Sequence, residues 1–424
     1  MNNPDIARKL HLEIAKYSGL GQLTHQVHTR AGWIDRFQRE VANYRDPNQL
    51  PPPNLFADPK APAQTDGQND NAMAELITST FSAFNVPIEV IGHEVGPRLT
   101  QYYLRPQSLN GKRAKISAIK ALNDDLALAL GKSTTITNRP GKLILEIPND
   151  EFQNVTMGGI IRSKSFKKIR DSGGLPLALG CDTSGQPVVA DLTKMPHLLI
   201  AGATGSGKSV CMNALISSLL TAYTPQQLNF LMIDPKMVEL VPYDGIRHLV
   251  RPVIKEMANA SNALEWAVSQ MEIRYKKLSE VRKRNIKGYN KWAKSNKKEL
   301  MPYLVIVIDE LADLMVQYKD EVETAVTRLA QMARAVGIHL ILATQRPTVD
   351  VVTGLIKANV PARIAFGVSS GTDSRVILDQ KGAEDLLGLG DSLYLAADAK
   401  EPIRVQGSFV SDDEIDQLVK HWQA

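Results

Sequence analysis

The chain has 424 residues, 43% of them hydrophobic and 22% charged, with only two cysteines, so it can bury the cores of roughly two or three domains and is no disulfide-stapled mini-protein. Fifty Lys and Arg against 45 Asp and Glu leave a formal charge of +5, a mild basic excess that neither demands nor excludes a polyanionic partner. No apolar run approaches the ~18 residues of a membrane span, and MNNPDIARKLHLEIAK lacks the apolar core of an export leader; a cytoplasmic, reducing location with Cys181 and Cys211 as free thiols fits this.

Helical periodicity over about residues 5–44, in ARKLHLEIAKY and WIDRFQREVANY, gives way to a Pro-, Asp- and Gln-rich stretch over 46–71 that has the composition of a linker. A helix over Met73–Phe84 follows, then strands in VPIEVIG and RLTQYYLRP, a helix over Lys115–Gly131, and strands TTITN and KLILEIP around a turn at Pro140-Gly141. The expected division is a helical segment over 1–45, a linker over 46–71, a small α+β domain over 72–150 and a larger α/β domain over 151–424.

In the larger domain NFLMID, YLVIVID, IHLILAT, ARIAFGV and DSLYLAA alternate with helical segments, which predicts a mostly parallel sheet covered by helices. The helix in EWAVSQMEIRYKKLSEVRKR ends in Arg282-Lys283-Arg284, a run expected to be a solvated face. VETAVTRLAQMARAVG sets Val322, Ala325, Val326, Leu329, Ala333 and Val336 on one apolar face and Gly337 at a C-cap. Ser411 and Glu414 have capping-box spacing at the start of a last helix.

The chemistry is carried by Gly202-Ala203-Thr204-Gly205-Ser206-Gly207-Lys208-Ser209, which matches G-x-x-x-x-G-K-[ST] between the strand pattern HLLIAG and the helix pattern SVCMNALISSLL. In such a loop, backbone N–H groups surround phosphates, Lys208 reaches the β- and γ-phosphates of ATP, and the Ser209 hydroxyl ligates Mg²⁺. Asp309 follows the apolar run LVIVI and is the carboxylate expected to hold the Mg²⁺ waters, in preference to Asp234, which Pro235 and Lys236 follow. Glu310, directly after Asp309, is placed as a general base for water, and Gln345, at the end of IHLILAT, as a reporter of the γ-phosphate. Arg334 sits in the last turn of its helix and Arg328 nearly two turns earlier, where cations also suit the helix dipole.

MPHLLIAGATGSGKSV (Met195–Val210), IDPKMVEL (Ile233–Leu240), VIDELADLM (Val307–Met315) and the long Arg328–Phe366 segment resemble the FtsK/SpoIIIE DNA translocases. DSRVILDQKGAEDLLGLGDSLYL and GSFVSDDEI extend the likeness, and IEVIGHEVGPRLTQYYLRP resembles the family's α domain, so roughly residues 72–424 are covered. The resemblance implies a RecA-like ATPase domain after a small α+β domain, a homo-hexameric ring, and double-stranded DNA pumped through its pore. It further implies that Arg334 is the finger reaching a neighbour's γ-phosphate, and that Arg346 and Lys357, with Arg375 as a weaker candidate, touch DNA. Cations that hold phosphates rather than base edges suit a motor that must pass any sequence.

Three departures from the family pattern shape the expectation. Gly371 stands where the family usually has lysine, so one pore contact is expected to be missing. The membrane anchor of many members and the winged-helix module that reads orienting sequences are expected to be absent. The rival readings are a protein-export ATPase of the type VII secretion kind, a small-molecule kinase, and a DNA-binding module that does not hydrolyse its nucleotide; the single ATPase domain, the TVDVVTGLIKANVPARI segment and the Asp309-Glu310 pair disfavour them in turn.

Overall fold

A computed structural model describes residues 49–59, 67–109, 112–139 and 141–423. The helical periodicity expected before residue 45 lies outside them. Two sheets organise the described chain. The smaller is antiparallel, in the order β1-β2-β6-β5, built from β1 (Ile88–Val95), β2 (Leu99–Pro106), β5 (Thr135–Arg139) and β6 (Lys142–Pro148), with a short ribbon of β3 (Ser108–Leu109) and β4 (Lys112–Arg113) beside it. Helix α1 (Gly67–Ala83) begins six residues before its periodicity does, and the expected Lys115–Gly131 helix is divided into α2 (Ile116–Ala121) and α3 (Asn123–Leu130). The division falls at Leu122, whose φ of −87° and ψ of 9° leave the helical region, and Asp124 and Asp125 then suit the positive end of a new helix. Ile77, Phe81, Tyr102, Leu126 and Leu145 fill the core between these helices and the sheet.

The larger sheet has nine strands in the order β10-β11-β12-β9-β13-β14-β15-β7-β8. Strands β9 (His197–Ala201), β10 (Leu228–Ile233), β11 (Tyr303–Ile308), β12 (Ile338–Thr344) and β13 (Ala362–Phe366) pair in parallel. Their continuous apolar runs are buried on both faces, as parallel strands between helical layers must be. Strands β14 (Asp391–Leu395), β15 (Ile403–Gly407), β7 (Pro176–Asp182) and β8 (Pro187–Asp191) continue the sheet antiparallel, so the parallel expectation holds for the half that carries the phosphate loop. Periodicity passes over β7 because its seven residues include Gly180 at φ 142° and a register shift there.

Covering helices are α4 (Met157–Ile161), α5 (Lys164–Asp171), α6 (Lys208–Ala222), α7 (Met257–Glu280), α8 (Ile286–Ser295), α9 (Leu311–Gln317), α10 (Lys319–Met332), α11 (Gly354–Asn359), α12 (Gly371–Leu378) and α13 (Asp412–Gln423). The apolar face read from Val322 to Val336 is buried throughout, and Gly337 caps the following 3-10 turn at φ 71°. Ser411 and Glu414 make the reciprocal capping box, with Glu414 N donating to Ser411 Oγ (3.3 Å) and Ser411 N to Glu414 Oε2 (2.8 Å). Residues 49–59 run along this part of the molecule: Phe56 is buried in its core, and Ala57 N donates to Glu414 Oε1 at 2.7 Å. Cys181 and Cys211 are buried free thiols; burial pushes the Cys211 thiol up to about 12, the behaviour of an inert core residue.

Candidate functional site

The site forms where five parallel strands end together. Strand β9 delivers the chain into the loop Gly202–Gly207, and α6 carries it away. Two glycines are obligatory there: Gly205 has φ 77°, and Gly207 has φ 113° with its α-carbon so close to the β14 approach that an added Cβ would lie 2.6 Å from Gly390 N. Neighbouring loops hold it from both sides: Ala203 N donates to Gly367 O at 2.9 Å, and Gly390 N donates to Ser206 O at 2.9 Å. The first N–H groups of α6 have no intrahelical acceptor and point, with the helix dipole, toward the loop's concavity. A cavity of ≈ 340 Å³ opens there, lined among others by Thr204, Gly205, Lys208, Ser209, Gln345 and Gln406.

Lys208 is 3% exposed and donates to Asp309 Oδ1 (2.7 Å) and to the Asp309 backbone O (2.8 Å), so loop and β11 terminus meet in one buried ion pair. The other Asp309 oxygen, Oδ2, is buried without a hydrogen-bond partner. Burial raises the Asp309 carboxyl above its ordinary value, with Asp234 and Glu239 adding to the rise and Lys208 opposing it. Ser209 Oγ donates to Glu239 Oε1 at 2.5 Å. Asp234 takes a different role: its Oδ2 accepts from Val238 N (3.0 Å) and Leu240 N (2.9 Å), which shapes the loop that presents Glu239.

Glu310 is buried and held by four groups. Its Oε1 accepts from Thr344 Oγ1 (2.7 Å), Gln345 N (3.2 Å) and Ala312 N (3.4 Å), and its Oε2 pairs with Lys236 Nζ (2.9 Å). Burial alone would raise this carboxyl, but the bonds from Thr344 and Lys236 outweigh it and hold it below the ordinary range. Gln345 closes the circuit, since its Oε1 accepts from Thr204 Oγ1 at 2.9 Å and thereby ties β12 to the phosphate loop.

The remaining expected residues lie apart from this cluster. Arg334, expected in the last turn of its helix, is exposed in the 3-10 turn Ala333–Val336 that follows α10 and precedes β12, and the length of β12 separates it from Thr344 by roughly 20 Å at ~3.3 Å per residue. It forms no ion pair among the described residues, whereas Arg328 pairs with Glu272 at 2.5 Å. Arg346 is exposed just past Gln345, and Arg375 is exposed on α12. Lys357 is not free: its Nζ pairs with Asp379 Oδ1 at 2.8 Å, and Arg363 Nη1 binds the same carboxylate at 2.6 Å. At Gly371 an added Cβ would meet Glu384 Oε1 at 2.6 Å and the Lys381 stem at 3.1 Å, so Lys381 already lies beside the position that lacks a side chain.

Sequence reasoning missed Glu239, Lys236 and Thr344, which bond directly to Ser209 and Glu310. Glu239 and Lys236 belong to IDPKMVEL, whose charges right after an apolar strand were the available signal; Thr344 carries none, because a threonine ending a strand is ordinary.

Comparison with known proteins bears on the whole arrangement. Residues 159–349 match the family model described as FtsK/SpoIIIE family, and residues 50–149 the one described as FtsK alpha domain. The chain is 48% identical over 384 residues to the DNA translocase SpoIIIE of Bacillus subtilis (strain 168), covering 88% of this chain and 48% of that protein. It is 50% identical over 351 residues to the DNA translocase FtsK of Clostridium acetobutylicum, covering 82% and 45%. The chain thus spans about half the length of the curated relatives it matches. Among solved structures, the pCW3 conjugation coupling protein TcpA in monomer form with ATPgS aligns over 82% of this chain and 99% of its own (TM-score 0.56, 24% identity), which supports the fold. The cytoplasmic domain of the Thermomonospora curvata type VII secretion ATPase EccC aligns over 59% of this chain and 31% of its own (TM-score 0.53, 25% identity). Phosphate loop, strand-end carboxylates, fold and both sequence matches agree that the chain belongs to the FtsK/SpoIIIE family.

Proposed function

We propose that this chain is an ATP-driven translocase that pumps double-stranded DNA through a homo-hexameric ring, in the cytoplasmic compartment that holds DNA and ATP. The observation that carries the reading is the continuous chain of bonds from phosphate loop to exposed loop: Lys208 to Asp309, Glu310 to Thr344 and Gln345, and Thr204 to Gln345, with Arg346 next in sequence. A change at the nucleotide is felt directly by the backbone that presents Arg346. Support for DNA as cargo comes from relatives near 48% identity that are named DNA translocases.

The residues fit Mg²⁺. Asp309 Oδ2 is an orphaned buried oxygen, and Ser209 Oγ with the Glu239 carboxylate bonded to it supplies further hard oxygen donors along the phosphate loop. Mg²⁺ characteristically takes one or two protein oxygens and completes its shell with water and phosphate, and when bound it neutralises charge on the β- and γ-phosphate oxygens. In this reading Gly202, Ala203, Thr204, Gly205, Ser206 and Gly207 cradle the phosphates, and Lys208 exchanges its Asp309 partner for phosphate oxygens. Ser209 and Asp309 hold the metal and its waters. Glu310, ionised and fixed by its donors, orients the attacking water and takes its proton as the terminal P–O bond to ADP breaks. Gln345 reports the γ-phosphate.

Arg334 cannot reach its own subunit's loop from the far end of β12, which supports its use as a finger in the neighbour's site. Arg346, Lys357 and Arg375 hold DNA phosphates, Lys357 after release from Asp379. The division into a helical segment over 1–45, a small domain over 72–150 and a motor over 151–424 belongs to the same proposal, the small sheet forming a second ring above the motor; the stretch 46–71 expected as a linker is instead partly packed, with Phe56 in the motor core and α1 beginning at Gly67. ATP turnover measured with and without long duplex DNA tests the function: stimulation by DNA of any sequence is expected, and an unchanged rate refutes it. The likeness to EccC keeps protein export as the second reading, and stimulation by a signal peptide instead of DNA would select it.

A further inference from the structure

The chain's entire basic surplus is concentrated in one stretch. From Lys276 to Lys298 there are ten Lys and Arg residues and a single carboxylate, Glu280; the whole chain carries only +5, so everything outside this stretch is net acidic. The stretch comprises the end of α7, the connection Arg282-Lys283-Arg284, helix α8 and the turn at Lys297-Lys298. All ten cations are exposed, and none is in an ion pair among the described residues, although other surface cations such as Lys319 and Arg328 are. A run of like charge that is left unneutralised repels itself, so folding alone gives no reason for it.

Helix α8 is a rigid mount for these charges. Ile286 and Ala293 bury its apolar side, Asn285 caps it by accepting from Gly288 N at 2.9 Å, and the Asn290 side chain clasps the Met301 backbone with two bonds of 2.9 and 2.8 Å. Lys287, Lys291 and Lys294 then share its outer face, at rises of about 6 and 4.5 Å along the axis. Ile286 packs beside Gly337 and Tyr303, at the beginnings of β12 and β11, so the cations lie at the sheet edge opposite the phosphate loop and the Arg346 loop.

We propose that this surface is a second contact for duplex DNA, gripping phosphates away from the Arg346 loop; the inference rests on the translocase reading. The occupant is a polyanion because only cations are on offer: the apolar side of α8 is spent in the core, leaving little to enter a lipid layer, and duplex DNA presents one charge per ~1.7 Å of axis to a row of fixed lysines. No base-reading geometry is needed, which suits a motor indifferent to sequence.

The test compares the full chain with its Lys287→Gln/Lys291→Gln/Lys294→Gln variant in equilibrium binding to duplex DNA across a salt series, with ATP analogue present. Each phosphate contact contributes about 0.9 to the slope of log affinity against log salt, so the variant's slope should be shallower by about 2 to 3, with ATP turnover in the absence of DNA unchanged. An unchanged slope overturns the proposal. So does loss of ring assembly with an unaltered slope, which would make the surface a contact between copies, or loss of binding to phosphatidylglycerol vesicles with DNA binding intact. If the unaltered chain binds no DNA at any salt, the translocase reading falls as well.

Discussion

Lys208 and Asp309 form a buried pair that each partner needs: 3% and 0% exposed, they leave a bare charge in the interior if either is removed. Lys208→Ala should therefore lower stability by on the order of 3 kcal/mol, besides losing ATP. The sign of its pH dependence follows from Asp309. Burial already raises that carboxyl, and without Lys208 it rises further. A folded-state pKa above the unfolded one favours folding at low pH, so the deficit should be larger near pH 8 than near pH 5; denaturant midpoints at the two values measure it. Glu310 has the opposite sign, because its donors hold it low. Its contribution is complete above the ordinary carboxylate range and is lost as pH falls through the lowered value. Glu310→Gln keeps the shape and removes the carboxylate proposed as the base, so turnover should drop by about 100-fold or more while equilibrium binding of nucleotide survives. Lys208, Asp309 and Glu310 were legible from spacing alone, since a strand-loop-helix motif and acids after an apolar strand are local signals. Glu239 and Thr344 were not, because their roles exist only where β10, β11 and β12 end side by side.

Among the elements, the approach to β14 has the strongest leverage on the site. Gly390 N supports Ser206, and the neighbouring Asp391 is held by both Arg404 Nε (3.0 Å) and Nη2 (2.6 Å). Arg404 Nη1 also binds Glu146 of the small sheet at 2.6 Å, and Glu146 accepts from Gln101 Nε2 at 2.8 Å. One arginine thus joins the small sheet to the wall of the phosphate loop. Arg404→Ala should leave two buried carboxylates unpaired, costing on the order of 3 kcal/mol, and should raise the KM for ATP more than it lowers kcat. Equal loss in both would mean that the bridge only stabilises. Periodicity located α10, α13 and every parallel strand, because each buries a regular face. It did not locate β7, β8 or the break at Leu122, where Gly180 and the Asn123-Asp124-Asp125 start interrupt the pattern without announcing what replaces it.

For the whole molecule, the separation of Arg334 from its own phosphate loop is the decisive geometry. If neighbours complete each other's sites, Lys208→Ala and Arg334→Ala subunits should both be inactive alone, yet mixing them should restore part of the ATP turnover: interfaces that join the intact loop of one to the intact finger of the other are whole. No recovery on mixing, with rings formed, would remove Arg334 from the chemistry. The sequence by itself determined the nucleotide chemistry and the α/β class, because phosphate loops, strand-end acids and buried periodic faces depend on residues a few positions apart. Only the tertiary structure decided that Asp234 shapes the loop presenting Glu239 to Ser209, that Lys357 is held by Asp379, that four of the nine strands of the large sheet run antiparallel, and that the basic stretch lies opposite the phosphate loop. Those outcomes turn on pairings between residues tens or hundreds of positions apart, set by packing and strand order, which no local pattern encodes.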